Sequence, residues 1–471
     1  MKKVPVLQRI SLFLFIAIPI AAVSVFLPEK YLPFPVIIGI LSILAATLFL
    51  RPVWLIPFVV LFSPIICTLR HIETINLSGT TISLSGLVWA FTAGACVLFL
   101  AAHPSRTRIP VFIVPFLAFV GWTFVSWLAS NAPLTGLKDI LFYGLPPLFG
   151  VFTVRVVSRT DGGWMGTIEK LILLTIFIPI GIYLLSIPAG WVSITIKGPE
   201  GFIEPRGIAL YLLVVLAVAL SRWSYATTAS AKKTAVIFAW MTLATIFFTL
   251  SRMAGMTALL LLSLAIIKPH RIREGLLSVV AAGIVGMVII FTVPALQERF
   301  FHQTSSDLWS TLLSLRTAGR NIFWPITFEH AAENPLIGWG PGSARILVAK
   351  SQPILAAAEY HPHNEYLQVF HDTGIIGLIL LLLAYIPLFF HFWRQWRTSH
   401  STEHKSLAAR SMAAFLSIVA VLVTSATANT LHYAFVTVPA FILIAFAYRQ
   451  NRHLEGNATQ PVPFHPGTDS G

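Results

Sequence analysis

Charge is what this sequence has least of: Asp, Glu, Lys and Arg make up 11% of its 471 residues, against 56% hydrophobic. A soluble domain carries roughly a quarter of its residues charged, so a water-facing globular surface is excluded for most of the chain. Cysteine is nearly absent. Cys67 and Cys96 both sit inside apolar runs, which leaves no disulfide framework and no thiolate metal site. Asp-x-Asp and Asp-x-Glu pairs are missing altogether, and with them the simplest carboxylate arrangement for holding a divalent cation. The interiors of the apolar runs hold almost no ionisable residue; Lys138, Asp139, Glu169 and Lys170 fall at run ends. Transport pathways through a bilayer are marked by intramembrane charges, so this scarcity weighs against an ion-coupled transporter. A small-residue cleavage site is lacking between the first apolar run, Ile10 to Leu27, and Pro28-Glu29. The basic start (Lys2, Lys3, Arg9) therefore precedes a retained helix.

What is present in quantity is apolar length. Mean hydropathy is +0.81, and runs of about 18 residues recur that are long enough to cross a hydrocarbon core of roughly 30 Å as helices. Helices are expected because a lipid-exposed backbone must satisfy its own hydrogen bonds. Candidate spans fall near 10–27, 31–50, 52–69, 84–102, 109–128, 138–155, 168–187, 207–221, 234–250, 254–267, 275–295, 373–391, 411–429 and 431–448. Several are short or proline-rich, so the expectation is an all-α polytopic integral membrane protein with about 12–14 transmembrane helices.

The formal charge of +14 is dealt out between the spans and not clustered. It is a topology signal, and no nucleic acid is expected as a partner. With the N-terminus inside, 21 of the 32 Lys and Arg residues fall on the cytoplasmic side. The short outer loops hold only Lys30, Arg70, Lys138, Lys197, Arg206 and Arg252. Both termini are then cytoplasmic. The organisation expected is N-terminal transmembrane helices over 1–295, one large outer loop over 296–372, three transmembrane helices over 373–450, and a disordered tail over 451–471.

That loop collects the polar machinery. It carries Arg299, Arg316, Arg320, Arg345 and Lys350 on the side that the positive-inside rule disfavours. SLRTAGRNIFWPITFEHAAE reads as a short amphipathic helix broken at NPLIGWGPGS, and a second helix begins around HPHNEYLQVFHDTG. Arg316 and Arg320, four apart, share a helix face. Arg206 and Arg252 stand at span ends, where a lone arginine also serves simply as a snorkelling interfacial residue. Taken with Arg345, the arginines suit a phosphate or pyrophosphate at headgroup level, because a guanidinium donates bidentate hydrogen bonds and keeps its charge. His361, His363 and His371 do not have the spacing of a zinc motif. A general base fits better, since a neutral imidazole accepts a proton near neutral pH.

Three of these segments resemble the O-antigen ligase and polymerase superfamily of bacterial envelope glycosyltransferases: TLSRMAGM at an outer span end, RTAGRNIFWPITFEHAAENPLIGWGPGS in the loop, and HNEYLQVFHDTGIIGLILLLLAYI leading into the next span. The resemblance implies a large periplasmic loop over a membrane cavity in the cell inner membrane. The implied partners are an undecaprenyl-diphosphate-linked O-antigen as donor, lipid A-core oligosaccharide as acceptor, and membrane lipids. His363 is implied as the catalytic base. Arg252 and Arg320 are implied as pyrophosphate ligands, with Arg206, Arg316 and Arg345 as weaker matches and His361 and Asn364 as supporting residues. No cofactor and no metal is expected, and transfer proceeds with inversion. An O-antigen or exopolysaccharide polymerase, a protein O-oligosaccharyltransferase and a lipid-linked glycan transporter are the alternatives; the ligase is preferred for its compact HN motif followed by GIIG and its single dominant outer loop.

Overall fold

The computed structural model describes residues 52–69, 73–77, 80–104, 110–157, 164–188, 192–195, 198–201 and 204–266, most positions from 277 to 301, and residues 319–351, 361–399 and 405–458. The chain runs through α1 (Leu55–Leu69), an antiparallel hairpin of β1 (Glu73–Leu77) and β2 (Thr80–Ser83), then α2 (Leu84–Ala102), α3 (Val114–Trp127), α4 (Pro133–Val157), α5 (Trp164–Leu174) and α6 (Phe177–Ser186). A second antiparallel hairpin, β3 (Val192–Thr195) with β4 (Gly198–Gly201), precedes α7 (Pro205–Tyr225), α8 (Ala229–Phe248), α9 (Arg252–Ile266) and α10 (Pro294–Phe300). α11 (Arg320–Glu333) and α12 (Ser343–Ser351) lead into α13 (Glu365–Thr398), α14 (Lys405–Ser425) and α15 (Ala434–Ala458).

Among the described residues, seven stretches are long and apolar enough to cross a membrane: Ser85–Ala102, Pro133–Val157, Trp164–Ser186, Pro205–Tyr225, Ala229–Phe248, Glu365–Thr398 and Lys405–Ser425. Four shorter apolar helices, Pro52–Ile65, Val111–Trp127, Arg252–Ile266 and Ala434–Gln450, fall among them. The protein is an all-α polytopic membrane protein. The spans expected at 10–27 and 31–50, and the tail from 459, lie outside the described residues; the span near 275–295 is described only in part.

α7 is the axis of the bundle. Every residue from Gly207 to Ser221 is buried, as befits a helix that is apolar all round, and α8, α9 and α14 pack around it. Elsewhere α4 packs on α15, and α13 on α3 and α14. Hydroxyls inside the bundle are satisfied within their own helices: Ser63, Thr123 and Ser417 each donate to the carbonyl four residues back, at 2.7, 2.8 and 2.8 Å. That is how an apolar interior tolerates them. At the end of α7 remote from β4, Glu169 accepts from Arg410 at 2.8 Å and lies 3.8 Å from Arg222.

α13 has 34 residues, about 51 Å at 1.5 Å per residue, well over the roughly 30 Å of a hydrocarbon core. Its surplus precedes Gly374, where φ 66° and ψ −173° kink the helix. Only glycine fits there, since a Cβ would collide with the Leu336 carbonyl and the Ile337 nitrogen. The helix expected around HPHNEYLQVFHDTG and the span expected from 373 are thus one kinked element.

Candidate functional site

The segment before α13 is a tightly held turn. Asn364 is its N-cap: the backbone is extended (φ −150°, ψ 106°), and Oδ1 accepts from the Leu367 amide at 3.1 Å. One residue earlier, His363 has φ 52°, the left-handed region that a β-carbon disfavours. Such a conformation persists only where the surroundings enforce it. Trp324 of α11 supplies one constraint, donating its indole N–H to the Pro362 carbonyl at 2.9 Å. His361 is buried, with Nδ1 3.1 Å from Gln368 Oε1, and that oxygen also accepts from Asn429 Nδ2 at 3.2 Å. Burial, reinforced by the charges of Arg345 and His432, pushes the His361 pKa well below the ordinary histidine value, so its ring is neutral. His363 itself is half-buried.

Beneath this turn lies an ion cluster. His432, in a 3-10 turn (Thr430–His432) between α14 and α15, places Nε2 3.2 Å from Asp139 Oδ1 and Nδ1 2.9 Å from Glu365 Oε1. Asp139 also pairs with Arg345 of α12. Glu365 accepts from Tyr143 Oη at 3.0 Å and from the Leu431 amide at 3.3 Å. Burial alone would lower the His432 pKa, but the two carboxylates outweigh it and raise it to about 9. The ring is therefore an imidazolium at neutral pH, and two anions are balanced by two cations within the buried cluster.

The remaining arginines are distributed around this end of the bundle. α11 starts at Arg320, directly after Gly319 in the left-handed conformation (φ 80°). Arg320 Nη2 donates to the Thr427 carbonyl at 2.7 Å, just beyond α14. Burial, and then the charge of Arg206 on the first turn of α7, lower its proton affinity. The guanidinium nonetheless stays charged, as arginine does in proteins. Arg206 and Arg320 are thus brought together. Arg252 opens α9 with Cζ 5.5 Å from the Phe300 ring centroid, a cation–π distance. Arg345 faces the carboxylate of Asp139. Arg316, with its expected pairing on the Arg320 face, lies outside the described residues.

α11 and α12 are seated on the kink of α13. Asp372 accepts from the Gly342 amide at 3.1 Å and the Ala344 amide at 2.9 Å, capping the start of α12. Its Oδ1 is 2.8 Å from His371 Nδ1, and His371 Nε2 is 3.0 Å from His330 Nδ1 on α11. Trp122 and Ser126 of α3 donate at 2.8 Å to the carbonyls of Thr373 and Asp372. His371, which the sequence offers as a third ring beside His361 and His363, is turned onto Asp372 and His330 instead.

Sequence reasoning missed Asp139, Tyr143, Glu365 and His432. Asp139 reads in the sequence as a span-end charge, yet α4 begins at Pro133 and Asp139 is fully buried. The available signal was that Asp139 and Glu365 are acidic residues next to apolar runs with no adjacent acidic partner, and His432 interrupts two of the most apolar segments.

The family model described as O-Antigen ligase matches residues 237–382, from α8 through α11 and α12 into the first half of α13. Over this stretch, about a third of its length, the chain is similar to the O-antigen ligase family. A Rickettsia conorii protein provisionally named a polysaccharide ligase is 25% identical over 360 residues, 73% of this chain and 75% of its own length. The matched stretch contains Arg252, Arg320, Arg345, His361 and His363. Asp139, Arg206 and His432 come from outside it, so the cluster joins the matched region to the rest of the bundle. These two similarities support an O-antigen ligase- or polymerase-type function, with polysaccharide and lipid substrates.

Proposed function

We propose that the protein is an O-antigen ligase, a glycosyltransferase that moves a polysaccharide from undecaprenyl diphosphate to a sugar hydroxyl of lipid A-core oligosaccharide. The reaction runs on the periplasmic face of the bacterial inner membrane, without a metal and with inversion. The observation that carries this reading is the half-buried His363, held in a left-handed backbone at the bundle end where Arg206 and Arg320 also gather. His363 accepts the proton of the acceptor hydroxyl as that oxygen attacks the anomeric carbon. The bond from that carbon to the diphosphate oxygen breaks in the same step, and undecaprenyl diphosphate leaves with the electron pair. Arg206, Arg320 and Arg252 stabilise the charge that builds on the leaving diphosphate, which is the electrostatic work a divalent cation does in other glycosyltransferases. Arg316 and Arg345 are further ligands in this scheme.

A deletion strain tests the reading. Loss of all glycan from lipid A-core, with lipid-linked polymer accumulating, is the result expected of a ligase. Lipid A-core capped by a single repeat would instead assign the polymerase reaction, in which the same donor is added to another lipid-linked glycan.

A further inference from the structure

The catalytic scheme uses His363 and the arginines, but it leaves unused a buried ring that stands between two carboxylates at this end of the molecule, His432. Its two ring nitrogens lie against carboxylates from two different helices, Asp139 of α4 at 3.2 Å and Glu365 of α13 at 2.9 Å. Each carboxylate in turn holds one part of the site. Asp139 pairs with Arg345 and so fixes α12. Glu365 is the first residue of α13, two positions after His363 and next to the Asn364 cap, so its place sets where the turn begins. Opposite it, Trp324 holds the Pro362 carbonyl. His363 is in this way clamped from both sides in a conformation that its own backbone disfavours.

We propose that His432 is a positioning residue that couples the Arg345 side of the site to the turn carrying His363, by holding Asp139 and Glu365 on its two ring nitrogens. It touches no substrate. Its work is to make the two halves move as one, so that the base and the basic residues keep a single spacing. This inference rests on the glycosyl-transfer reading for His363.

The charged and titratable groups facing His432 are Asp139, Tyr143 and, through Asp139, Arg345 from α4 and α12, with Glu365 and His361 from α13 and its preceding turn. Removing the imidazole outright strands two buried carboxylates and risks unfolding. The decisive variants are therefore the isosteric Asp139→Asn and Glu365→Gln, singly and together, in the full-length protein purified in detergent, with His432→Gln as a third. Glycosyl transfer is measured from a purified polyprenyl-diphosphate-linked glycan, alongside the thermal midpoint of each protein. Coupling predicts that each single variant lowers kcat about tenfold with the donor KM changed less than threefold, and that the double variant is no slower than the worse single one. Losses that multiply in the double variant, or that track the thermal midpoint, would overturn it.

A second readout separates this inference from the functional reading. Diethyl pyrocarbonate modification of His363, followed by peptide fragmentation, reports the placement of that ring without any turnover. A change of fivefold or more in its modification rate in Glu365→Gln supports the coupling even if the wild-type protein transfers nothing to any acceptor, a result that would sink only the functional reading. An unchanged rate in Glu365→Gln and in His432→Gln overturns the coupling whatever the activity.

Discussion

The guanidinium of Arg320, at the start of α11, lies within electrostatic range of that of Arg206, on the first turn of α7, and is made less basic first by its own burial and then by that charge. A half-buried cation beside an exposed one is poised for an anion that carries more than one charge and enters from the surface. Substituting lysine at either position keeps the charge but removes the two-pronged donor. Arg320→Lys and Arg206→Lys are each expected to lower kcat/KM for the lipid-linked donor about tenfold or more, or ~1.4 kcal/mol. Losses below twofold in both would remove them from the donor site.

His363 permits chemistry to be separated from backbone geometry. Asparagine tolerates the left-handed region better than other non-glycine residues, so His363→Asn keeps the turn and loses the base. Transfer should fall a hundredfold or more. The thermal midpoint should stay within about 2 °C of wild type.

Trp324 reaches the turn through one hydrogen bond to Pro362. Trp324→Phe retains the ring and deletes that donor, at about 1 kcal/mol. A several-fold fall in kcat with little change in stability is the expected outcome in a steady-state assay.

Gly374 sits where a Cβ meets the Leu336 carbonyl, and its positive φ is itself costly for alanine. Gly374→Ala is expected to destabilise the protein by roughly 2 kcal/mol or more, seen as a lowered thermal midpoint in detergent. A normal midpoint would mean that the kink is not enforced by this contact.

Stability should peak near neutral pH. The raised His432 pKa, about 9 in the folded protein, contributes stability that is fully present below the unfolded value of 6.5 and is lost as pH rises through about 9. His361 and His330 work in the opposite direction. Burial lowers both, aided at His361 by Arg345 and at His330 by His371, so the unfolded chain takes up protons below pH 6.5 and acid destabilises the fold. Thermal midpoints measured across pH 5 to 10 should fall on both sides of a maximum, and Glu365→Gln should flatten the alkaline side alone.

Apolar run length made the bundle legible, because a lipid solvent leaves one solution for a backbone with no water to bond. The HN pair and the loop arginines were legible too, since a polar cluster stands out against so apolar a chain. The ion cluster was not. Asp139 and His432 are 293 positions apart in sequence, and nothing local records that α4 and the turn before α15 end side by side. Asn364 reads in the sequence as a supporting residue beside His363, and the fold adds that its side chain closes the first turn of α13. Arg345 stands out in the sequence as a loop cation, but its pairing with Asp139 does not, because only the folded chain brings the two together.

The most direct test of the account is transfer by purified wild-type and His363→Asn proteins from an undecaprenyl-diphosphate-linked glycan to lipid A-core oligosaccharide, each with and without a chelator. The account predicts transfer by the wild-type protein at the same rate in chelator and none above background by His363→Asn. Transfer by His363→Asn at the wild-type rate, or wild-type activity that disappears with the chelator, would contradict it.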